Sequence, residues 1–243
     1  MTPISSTERR ALITGASSGI GKETALAFAK AGIDVALVSR SEDKLEAVAG
    51  VAREAGVKAK AYRLDLAKVE DVREKIGAIA ADFGPIDILV NNAGMGYTGS
   101  LIETPLSDWQ SVINLNLTSV FQCIQGILPM MRDRKKGLII NVASIAGSQA
   151  FPGWGAYCVS KAGLITLSKV TALEERTHGI RVATISPGSV NTPIWDTETV
   201  GANFDRNSML SAETVAQSIL HIALAPEQAV VEELTLMASA GTL

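Results

Sequence analysis

Residues 10–30 contain a buried strand, a glycine-rich turn and a helix in direct succession. Residues 10–14 (RALIT) are apolar enough for a buried strand, and residues 23–30 favour a helix. Between them lie Gly15, Gly19 and Gly21, in the spacing Gly-x-x-x-Gly-x-Gly. Glycines here allow a tight turn and let a pyrophosphate approach the backbone at the helix N-terminus. The order of the elements predicts a dinucleotide-binding α/β unit, although such a turn can also merely connect two elements.

The alternation of strand and helix continues along the rest of the chain. Strands are predicted at residues 33–38, 57–64, 86–90, 138–142, 180–185 and 231–236, and helices at residues 42–55, 69–83, 107–134, 156–178 and 213–224. A capping box, Ser107-x-x-Gln110, is expected to begin the longest helix. This pattern indicates a Rossmann-type doubly wound parallel sheet with helices on both faces. We expect a single domain over residues 1–243, with residues 189–209 as its one long irregular segment.

Composition narrows the class of protein. The hydrophobic fraction is 47 % of 243 residues, enough for a large core, and the net charge is −3. The basic residues at 132–136 fall at a predicted helix end, where cations suit the helix dipole, so no nucleic-acid partner is expected. Residues 1–8 are too short and polar for a signal peptide, and no apolar stretch is judged long enough to span a bilayer. A soluble, cytoplasmic protein without membrane contact is therefore expected.

Few residues in this chain favour metal or disulfide chemistry. The two cysteines, Cys123 and Cys158, lie in apolar helical patterns and are expected to be buried free thiols. The two histidines are isolated from each other and from any cluster of metal-ligating residues. The sequence therefore predicts no metal site.

Ser144, Tyr157 and Lys161 are the strongest candidates for catalysis. Tyr157 and Lys161 are one helical turn apart, so they are expected on one helix face. A free phenol has a pKa of about 10, and an ammonium group one turn away would lower it. Such a pair could exchange protons near neutral pH. The spacing alone also fits an exposed tyrosine beside a solvated lysine.

Small and polar residues follow six of the predicted strands. In open α/β sheets, ligands bind beyond the carboxyl ends of the strands, so these segments are expected to converge at one edge. The six segments are Gly15–Gly21, Ser39–Arg40, Asp65, Asn91–Gly94, Ser144 and Pro187–Thr192.

Taken in order, these residues resemble the short-chain dehydrogenase/reductase family, in the branch of chains of about this length. The matching motifs are Thr14-Gly15-x-x-x-Gly19-Ile20-Gly21, Asn91-Asn92-Ala93-Gly94, Asn116, Ser144, Tyr157-x-x-x-Lys161 and Pro187-Gly188. The resemblance runs from about residue 8 to the C-terminus. It implies an enzyme that interconverts carbonyl compounds and alcohols with a nicotinamide cofactor.

The residues after the second strand predict NADP(H) as the cofactor. An acidic residue there would bind the ribose of NAD, whereas this chain has Ser39 and Arg40, which suit a 2′-phosphate. Arg40 could instead be a solvated residue near a helix start. The resemblance places Asp65 and Leu66 at the adenine and Thr192 at the carboxamide, although Asp65 could simply cap a turn. The full set of predicted cofactor contacts is Gly15, Ser17, Ser18, Gly19, Ile20, Gly21, Ser39, Arg40, Asp65, Leu66, Asn91, Ala93, Gly94, Tyr157, Lys161, Pro187, Gly188, Val190 and Thr192.

The resemblance also implies four catalytic roles. Tyr157 gives a proton to the carbonyl oxygen, Lys161 lowers the phenol pKa and binds the nicotinamide ribose, and Ser144 donates to the same substrate oxygen. Asn116 holds a water that links the lysine to solvent. Asn114 is a nearby rival for that role, but the following residues 117–121 align Asn116 with the family motif.

The substrate is less constrained. Residues 189–209 carry Trp195, Phe204 and Met209, which could form a lid over the substrate or could pack on the surface. No charged residue is placed to bind a carboxylate or phosphate, which favours a small neutral carbonyl or alcohol substrate. The candidate pocket residues are Met95, Tyr97, Ile145, Phe151 and Trp154.

Two other functions compete with this interpretation. A 3-oxoacyl-acyl-carrier-protein reductase would need a basic cleft mouth for its acidic carrier, yet Arg206 is the only basic residue in residues 189–209. A nucleotide-sensing protein could share the fold without the chemistry, but would have no need of the four candidate catalytic residues.

The predicted helix over residues 156–178 is apolar around most of its circumference. One sheet face can cover only one side of such a helix. The predicted helix over residues 107–134 has the same character, and the family often assembles through this pair. We therefore expect a homotetramer or homodimer, unless the chain's own loops cover these faces.

Overall fold

The computed structural model describes residues 9–201, 205–239 and 241. Within these residues, one sheet contains seven strands: β1 (Arg10–Thr14), β2 (Asp34–Ser39), β3 (Ala59–Arg63), β4 (Ile88–Asn91), β5 (Gly137–Val142), β6 (Ile180–Pro187) and β9 (Glu233–Leu236). All pairs are parallel, in the order β3-β2-β1-β4-β5-β6-β9. The short strands β7 (Val190–Asn191) and β8 (Leu210–Ser211) pair with each other outside this sheet.

Helices cover both faces of the sheet. They are α1 (Gly19–Lys30), α2 (Glu42–Glu54), α3 (Val69–Phe83), α4 (Leu106–Ile113), α5 (Ser119–Arg134), α6 (Gly155–Glu175) and α7 (Ala212–Leu224). A π-helical segment, Asn114–Thr118, joins α4 to α5. Side chains of α1, α2 and α7 belong to one hydrophobic cluster, and those of α3, α5 and α6 to the other. The predicted doubly wound fold is confirmed.

Strand β1 shows why the apolar runs fold in this way. Ala11 and Ile13 pack into the cluster with α1, while Leu12 between them packs into the cluster with α3. Successive side chains of a strand point to opposite faces, so a strand covered on both faces must be apolar at every position. The side chains of β1 therefore alternate between two apolar faces, and each face requires a layer of helices to cover it.

The capping box predicted at Ser107 is wrong. Helix α4 begins at Leu106, and Pro105 holds the position before it with φ −61° and ψ 146°. Proline fixes φ near the helical value, which suits it to a helix start. The Ser107 hydroxyl lies 3.4 Å from the Asp108 carboxylate and caps no backbone group.

The helix from Leu106 to Arg134 also corrects the expectation about membrane-spanning length. It has 29 residues, and an 18-residue stretch within it has a mean hydropathy of 1.2, so it is long and apolar enough to cross a bilayer by those two measures alone. Its inward face, however, packs against α3 and the sheet in one of the two hydrophobic clusters. The core helix of a globular domain has the same length and composition, so these measures are weak grounds for a membrane span.

The two cysteines differ in their surroundings. Both are free, but only Cys123 is buried, where burial raises the pKa of its thiol to about 12. Cys158 is half-buried, which corrects the expectation of burial for that residue. It follows Tyr157 on α6, and the two helical neighbours face different surroundings.

Candidate active site

A cleft of about 840 Å³ opens beyond the carboxyl ends of the strands. It crosses the point between β1 and β4 where the strand order reverses, which is the usual ligand site of such sheets. Each of the six segments expected at this edge contributes to its lining, through Gly15, Ser39, Asp65, Ala93, Ser144 and Pro187.

The turn between β1 and α1 is built for close approach of an anion. Ser18 precedes α1 without a side-chain cap, and no acidic residue lies in the first turn. The free N–H groups and the positive end of the helix dipole therefore face the cleft. A side chain at Gly21 would collide with the carbonyl oxygen of Gly15, so only glycine permits this turn. These features fit a pyrophosphate, and Ser17, Gly19 and Ile20 also line the cleft.

Hydrogen bonds hold the turn after β1 against the turn after β4. The Thr14 hydroxyl accepts from the backbone N–H of Asn92 at 3.0 Å and of Ala93 at 3.1 Å. The Asn92 side chain in turn donates to the carbonyl of Thr14 at 3.0 Å. The floor of the cleft at the strand reversal is thus fixed by short polar contacts within the fold.

Asn91 is the predicted cofactor contact whose side chain turns away from the cleft. It is buried, and its amide donates to the side-chain oxygen of Asn141 at 2.9 Å. Its neighbours Asn92, Ala93 and Gly94 line the cleft instead. The reason is its place as the last residue of β4, where its side chain enters the packed face of the sheet.

Basic and hydroxyl side chains surround the end of β2. Ser39, Arg40 and Lys44 line the cleft there, and the Ser39 hydroxyl accepts from the N–H of Ser41 at 3.2 Å. Lys44 was not predicted from the sequence, although a lysine in the first turn of a helix that follows Arg40 was a usable signal. Asp65 accepts from the N–H of Ala67 at 3.1 Å, so it caps a turn and also lines the cleft.

Helix α6 brings Tyr157 and Lys161 to the cleft beside Ser144, which follows β5. The Lys161 ammonium lies 5.7 Å from the centre of the Tyr157 ring and donates to the carbonyl of Val142 at 3.0 Å. The Ser144 hydroxyl oxygen accepts from the N–H of Ala146 at 3.1 Å. That bond occupies the oxygen and leaves the hydroxyl hydrogen to donate elsewhere.

Burial controls the acidity of the two groups on α6. It raises the pKa of Tyr157, and the hydrogen bond with Ser144 opposes this rise without cancelling it. It also lowers the pKa of Lys161 to about 8. The expected lowering of the Tyr157 pKa by Lys161 does not occur in this structure, because removal from water disfavours both charged forms. Tyr157 is thus protonated at neutral pH, as a proton donor must be.

Asn116 lies one layer behind the cleft, in the π-helical segment. Its side chain accepts from the N–H of Met95 at 2.8 Å and donates to the carbonyl of the same residue at 2.9 Å and to the Ser160 hydroxyl at 3.1 Å. The Ser160 hydroxyl donates to the carbonyl of Tyr157 at 2.7 Å. Asn114, the rival candidate, instead accepts from Gln110 at an exposed position. Local π-helical turns often mark functional sites, and this one aims Asn116 at α6.

The wall beyond Tyr157 is apolar. The structure places four of the five candidate pocket residues in it, whereas Tyr97 does not line the cleft. Trp195 lines it too, Met209 does not, and Phe204 lies outside the described residues. The sequence analysis missed three further lining residues: Leu115 in the π-helical segment, and Ile194 and Val200 in the segment after β7.

Hydrogen bonds hold residues 189–201 to the loop that follows β4, at the edge of the cleft. The Thr98 N–H donates to the carbonyl of Thr199 at 2.9 Å, and the N–H of Gly201 donates to the Thr98 hydroxyl at 2.7 Å. The Thr199 hydroxyl donates to the carbonyl of Gly96 at 2.7 Å. Of the two alternatives for this segment, a lid over the substrate or packing on the surface, these contacts favour the lid.

Among the described residues, no group of histidine, cysteine or acidic side chains could hold a metal ion.

Comparison with known proteins identifies the family. A model described as short chain dehydrogenase matches residues 9–202. The chain belongs to the short-chain dehydrogenase family. As a short-chain dehydrogenase it is an oxidoreductase, and the match spans both the glycine-rich turn and the pair on α6.

The similar proteins are reductases and dehydrogenases. The chain is 40 % identical over 183 residues to a 3-oxoacyl-[acyl-carrier-protein] reductase of Staphylococcus epidermidis, covering 75 % of each protein. It is 36 % identical over 218 residues to the Thermotoga maritima reductase of that name, covering 87 % of this chain and 89 % of the relative. An alcohol dehydrogenase from Thermococcus sibiricus, complexed with 5-hydroxy-NADP, superposes with a TM-score of 0.88 at 29 % identity, covering 97 % and 99 % of the two chains.

Proposed function

We propose that this short-chain dehydrogenase is an NADP(H)-dependent enzyme that interconverts a carbonyl compound and an alcohol. The observation that carries the proposal is one continuous cleft with an anion-binding turn at one end and the Ser144, Tyr157 and Lys161 group at the other. We propose further that a single domain over residues 1–243 supplies both ends of this cleft. We also propose that the enzyme works in the cytoplasm.

The charges at the end of β2 support NADP(H) over NAD(H). Arg40 and Lys44 can both approach a 2′-phosphate, and the hydroxyl of Ser39 adds a third polar group. No acidic side chain stands at the position after β2 that would bind an unphosphorylated ribose. Two structurally similar proteins were crystallised with NADP or with 5-hydroxy-NADP.

The residues around Tyr157 are suited to the proton transfer that accompanies hydride transfer. When bound, the cofactor supplies a hydride to the carbonyl carbon or takes one from the alcohol. Tyr157 donates its phenolic proton to the carbonyl oxygen as negative charge develops there, so that the C=O group becomes CH–OH. Ser144 donates a hydrogen bond to the same oxygen and stabilises that charge. Lys161 brings a positive charge beside the phenol and is held in place by the carbonyl of Val142.

The apolar wall supports a small neutral substrate. Among the described lining residues the charged ones are Arg40, Lys44, Asp65 and Lys161, and the first three lie at the ends of β2 and β3. The part of the cleft near Tyr157 therefore offers no second charge to a carboxylate or phosphate. A neutral ketone or aldehyde with apolar substituents matches this lining.

A 3-oxoacyl thioester carried by acyl carrier protein is the second candidate substrate. It is favoured by the names of the relatives at 40 % and 36 % identity. Against it stands Arg206, which is paired with Asp196 at 2.6 Å and donates to the carbonyl of Thr192 at 3.2 Å. The only cation of the covering segment is thus already engaged within the chain.

A substrate panel tests the proposal. NADPH and NADH are offered with small ketones, small aldehydes and acetoacetyl thioesters of coenzyme A and of acyl carrier protein, and nicotinamide absorbance is followed. We expect turnover of neutral ketones with a preference for NADPH. Turnover confined to the thioesters would establish the second candidate. No turnover of any compound would contradict both and would favour a nucleotide-sensing protein.

We also propose self-association through α5 and α6, as a homotetramer or homodimer. The outer faces of these helices carry apolar side chains that the chain's described loops leave uncovered, including Phe121 at 41 % and Leu173 at 68 % exposure. A second copy related by a two-fold axis would bury both faces at once. Light scattering that reports a 25.5 kDa monomer at micromolar concentration would contradict this.

A further inference from the structure

One tryptophan stands beside the proposed proton donor, and a second tryptophan packs against the first. The Trp154 ring meets the Tyr157 ring edge-to-face, with 5.5 Å between centroids and 67° between planes. Trp154 also meets Trp195 edge-to-face, with 5.8 Å between centroids and 72° between planes. All three residues line the cleft, so the two indoles border the space next to Tyr157 in which a substrate would lie.

The backbone on both sides of Trp154 is fixed. The Gly99 N–H donates to the carbonyl of Gly153 at 2.8 Å, and the carbonyl of Trp154 accepts from the N–H of Cys158 at 2.8 Å, in the first turn of α6. A side chain at Gly155 would collide with Leu101. The segment around Gly99 therefore packs against the start of α6, and these contacts fix the backbone that carries the Trp154 ring.

Trp195 is anchored by a different element. Its indole N–H donates to the carbonyl of Val190 at 2.9 Å, which ties the ring to β7. In the same segment, Val200 packs closely on Gly96, where an added side chain would meet the Val200 methyl group at 2.7 Å. The two indoles thus come from separate elements, each held by backbone contacts, and meet over the cleft as a preformed surface.

We propose that Trp154 and Trp195 form an aromatic wall that sets the size of the carbonyl substrate, with Trp154 as the main specificity-determining residue. This inference rests on the proposed function. The wall admits a compact neutral ketone or aldehyde and excludes one with a bulky group on the side of Trp154. A rigid wall of this kind discriminates through steric exclusion and does not need to bind the substrate tightly.

The test compares butanone with propiophenone as substrates for the wild-type protein, Trp154→Ala and Trp154→Phe. Removal of a ring opens space for the phenyl group, so we expect the ratio of kcat/KM for propiophenone over butanone to rise about tenfold or more in Trp154→Ala and by less in Trp154→Phe. Trp195→Ala should shift the ratio in the same direction. Because the two rings touch, the double variant should give less than the product of the single effects.

Trp109→Ala is the matched control, because Trp109 is the third tryptophan and does not line the cleft. It should leave the ratio unchanged, and thermal unfolding of every variant shows whether a change reflects folding. If Trp154 only supports the start of α6, its variants will lose activity equally with both ketones. An unchanged ratio of kcat/KM for propiophenone over butanone in both Trp154 variants would therefore contradict the proposal that the aromatic wall sets substrate size. Wild-type protein that reduces neither ketone nor an acetoacetyl thioester refutes the proposed function itself, which is a separate outcome.

Discussion

The two ends of the cleft are built from different parts of the polypeptide. At the anion-binding end the surface is mostly backbone, shaped by Gly15, Gly19 and Gly21 and by the N-terminus of α1. Beyond Tyr157 the surface is made of large side chains, with Trp154 and Trp195 at its centre. A backbone surface follows from a short local motif, whereas a side-chain surface exists only after distant elements have packed together.

The two ends also treat charge differently. Arg40 is exposed at the edge of the cleft, where a cation keeps its hydration and can meet a phosphate. Lys161 is buried, and the loss of hydration lowers its pKa to about 8. In the proposed function, the first end therefore uses its positive charge to bind the cofactor, and the second holds a positive charge beside the phenol that transfers the proton. If this division is right, substitutions at the β1–α1 turn should change cofactor affinity and leave the rate of the chemical step intact, and substitutions at Tyr157 should do the reverse.

Gly21→Ala should disrupt the backbone-built end and weaken cofactor binding more than any other substitution at that end. The added methyl group collides with the carbonyl oxygen of Gly15, which must move and distort the turn. We expect NADPH affinity to fall about a hundredfold, since a shifted turn no longer presents its N–H groups to the pyrophosphate. Calorimetric titration of NADPH measures this.

Gly50→Ala is the control for that variant. Gly50 lies within α2 with nothing within 4 Å of an added methyl group, and alanine favours a helix by about 0.5–1 kcal/mol over glycine. It should be slightly more stable than the wild type and bind NADPH equally well. If Gly21→Ala also binds NADPH normally, the turn is not the pyrophosphate site.

Ser39→Asp combined with Arg40→Leu should change which cofactor is preferred, with a smaller effect. The new carboxylate accepts from a free ribose hydroxyl and repels a 2′-phosphate, while the lost guanidinium no longer attracts one. The ratio of kcat/KM for NADPH over NADH should fall about thirtyfold, a loss of about 2 kcal/mol. Lys44 remains in this variant, so Lys44→Gln added to it should lower the ratio further. An unchanged ratio in both variants would contradict the placement of the 2′-phosphate beside β2.

The pH dependence of kcat/KM should be the smallest of these effects, and it tests whether the charge of buried Lys161 is needed for the reaction. The lowered pKa means that Lys161 loses its charge as the pH rises through about 8, while the raised pKa of Tyr157 keeps its proton in place there. We expect kcat/KM for ketone reduction to fall about tenfold from its plateau by about one pH unit above that pKa. Arginine does not deprotonate in this range, so the falling limb should move to higher pH in Lys161→Arg. A limb that stays near pH 8 in that variant belongs to another group.

The sequence predicted the backbone-built end better than the side-chain end. Strand β1 lies where it was predicted, and the turn after it lines the cleft as expected, because both follow from local apolar runs and glycines. Asn91 belongs to the same motif as Asn92, yet a one-residue difference along β4 turns its side chain into the packed sheet. That orientation depends on where the strand ends, which sequence patterns locate only to within a few residues.

The side-chain end could be predicted only in part. Trp154 is a pocket residue that the sequence predicts, whereas Ile194 and Val200 reach the cleft only through the hydrogen bonds that hold residues 189–201 to the loop after β4. The pKa of Tyr157 was expected to fall, because the spacing to Lys161 is visible in the sequence. The burial that raises it is a property of the whole fold and leaves no local signal.

Tyr157→Phe provides the most direct test of the division between binding and chemistry. The substitution removes one hydroxyl and leaves the aromatic contact with Trp154 possible. On a single preparation, NADPH affinity is measured by calorimetric titration and the single-turnover rate of ketone reduction by stopped-flow absorbance. We predict that the rate falls about a thousandfold, as for loss of a general acid, while NADPH affinity stays within about twofold. A rate near that of the wild type, or an equal loss of affinity and rate, would contradict the account.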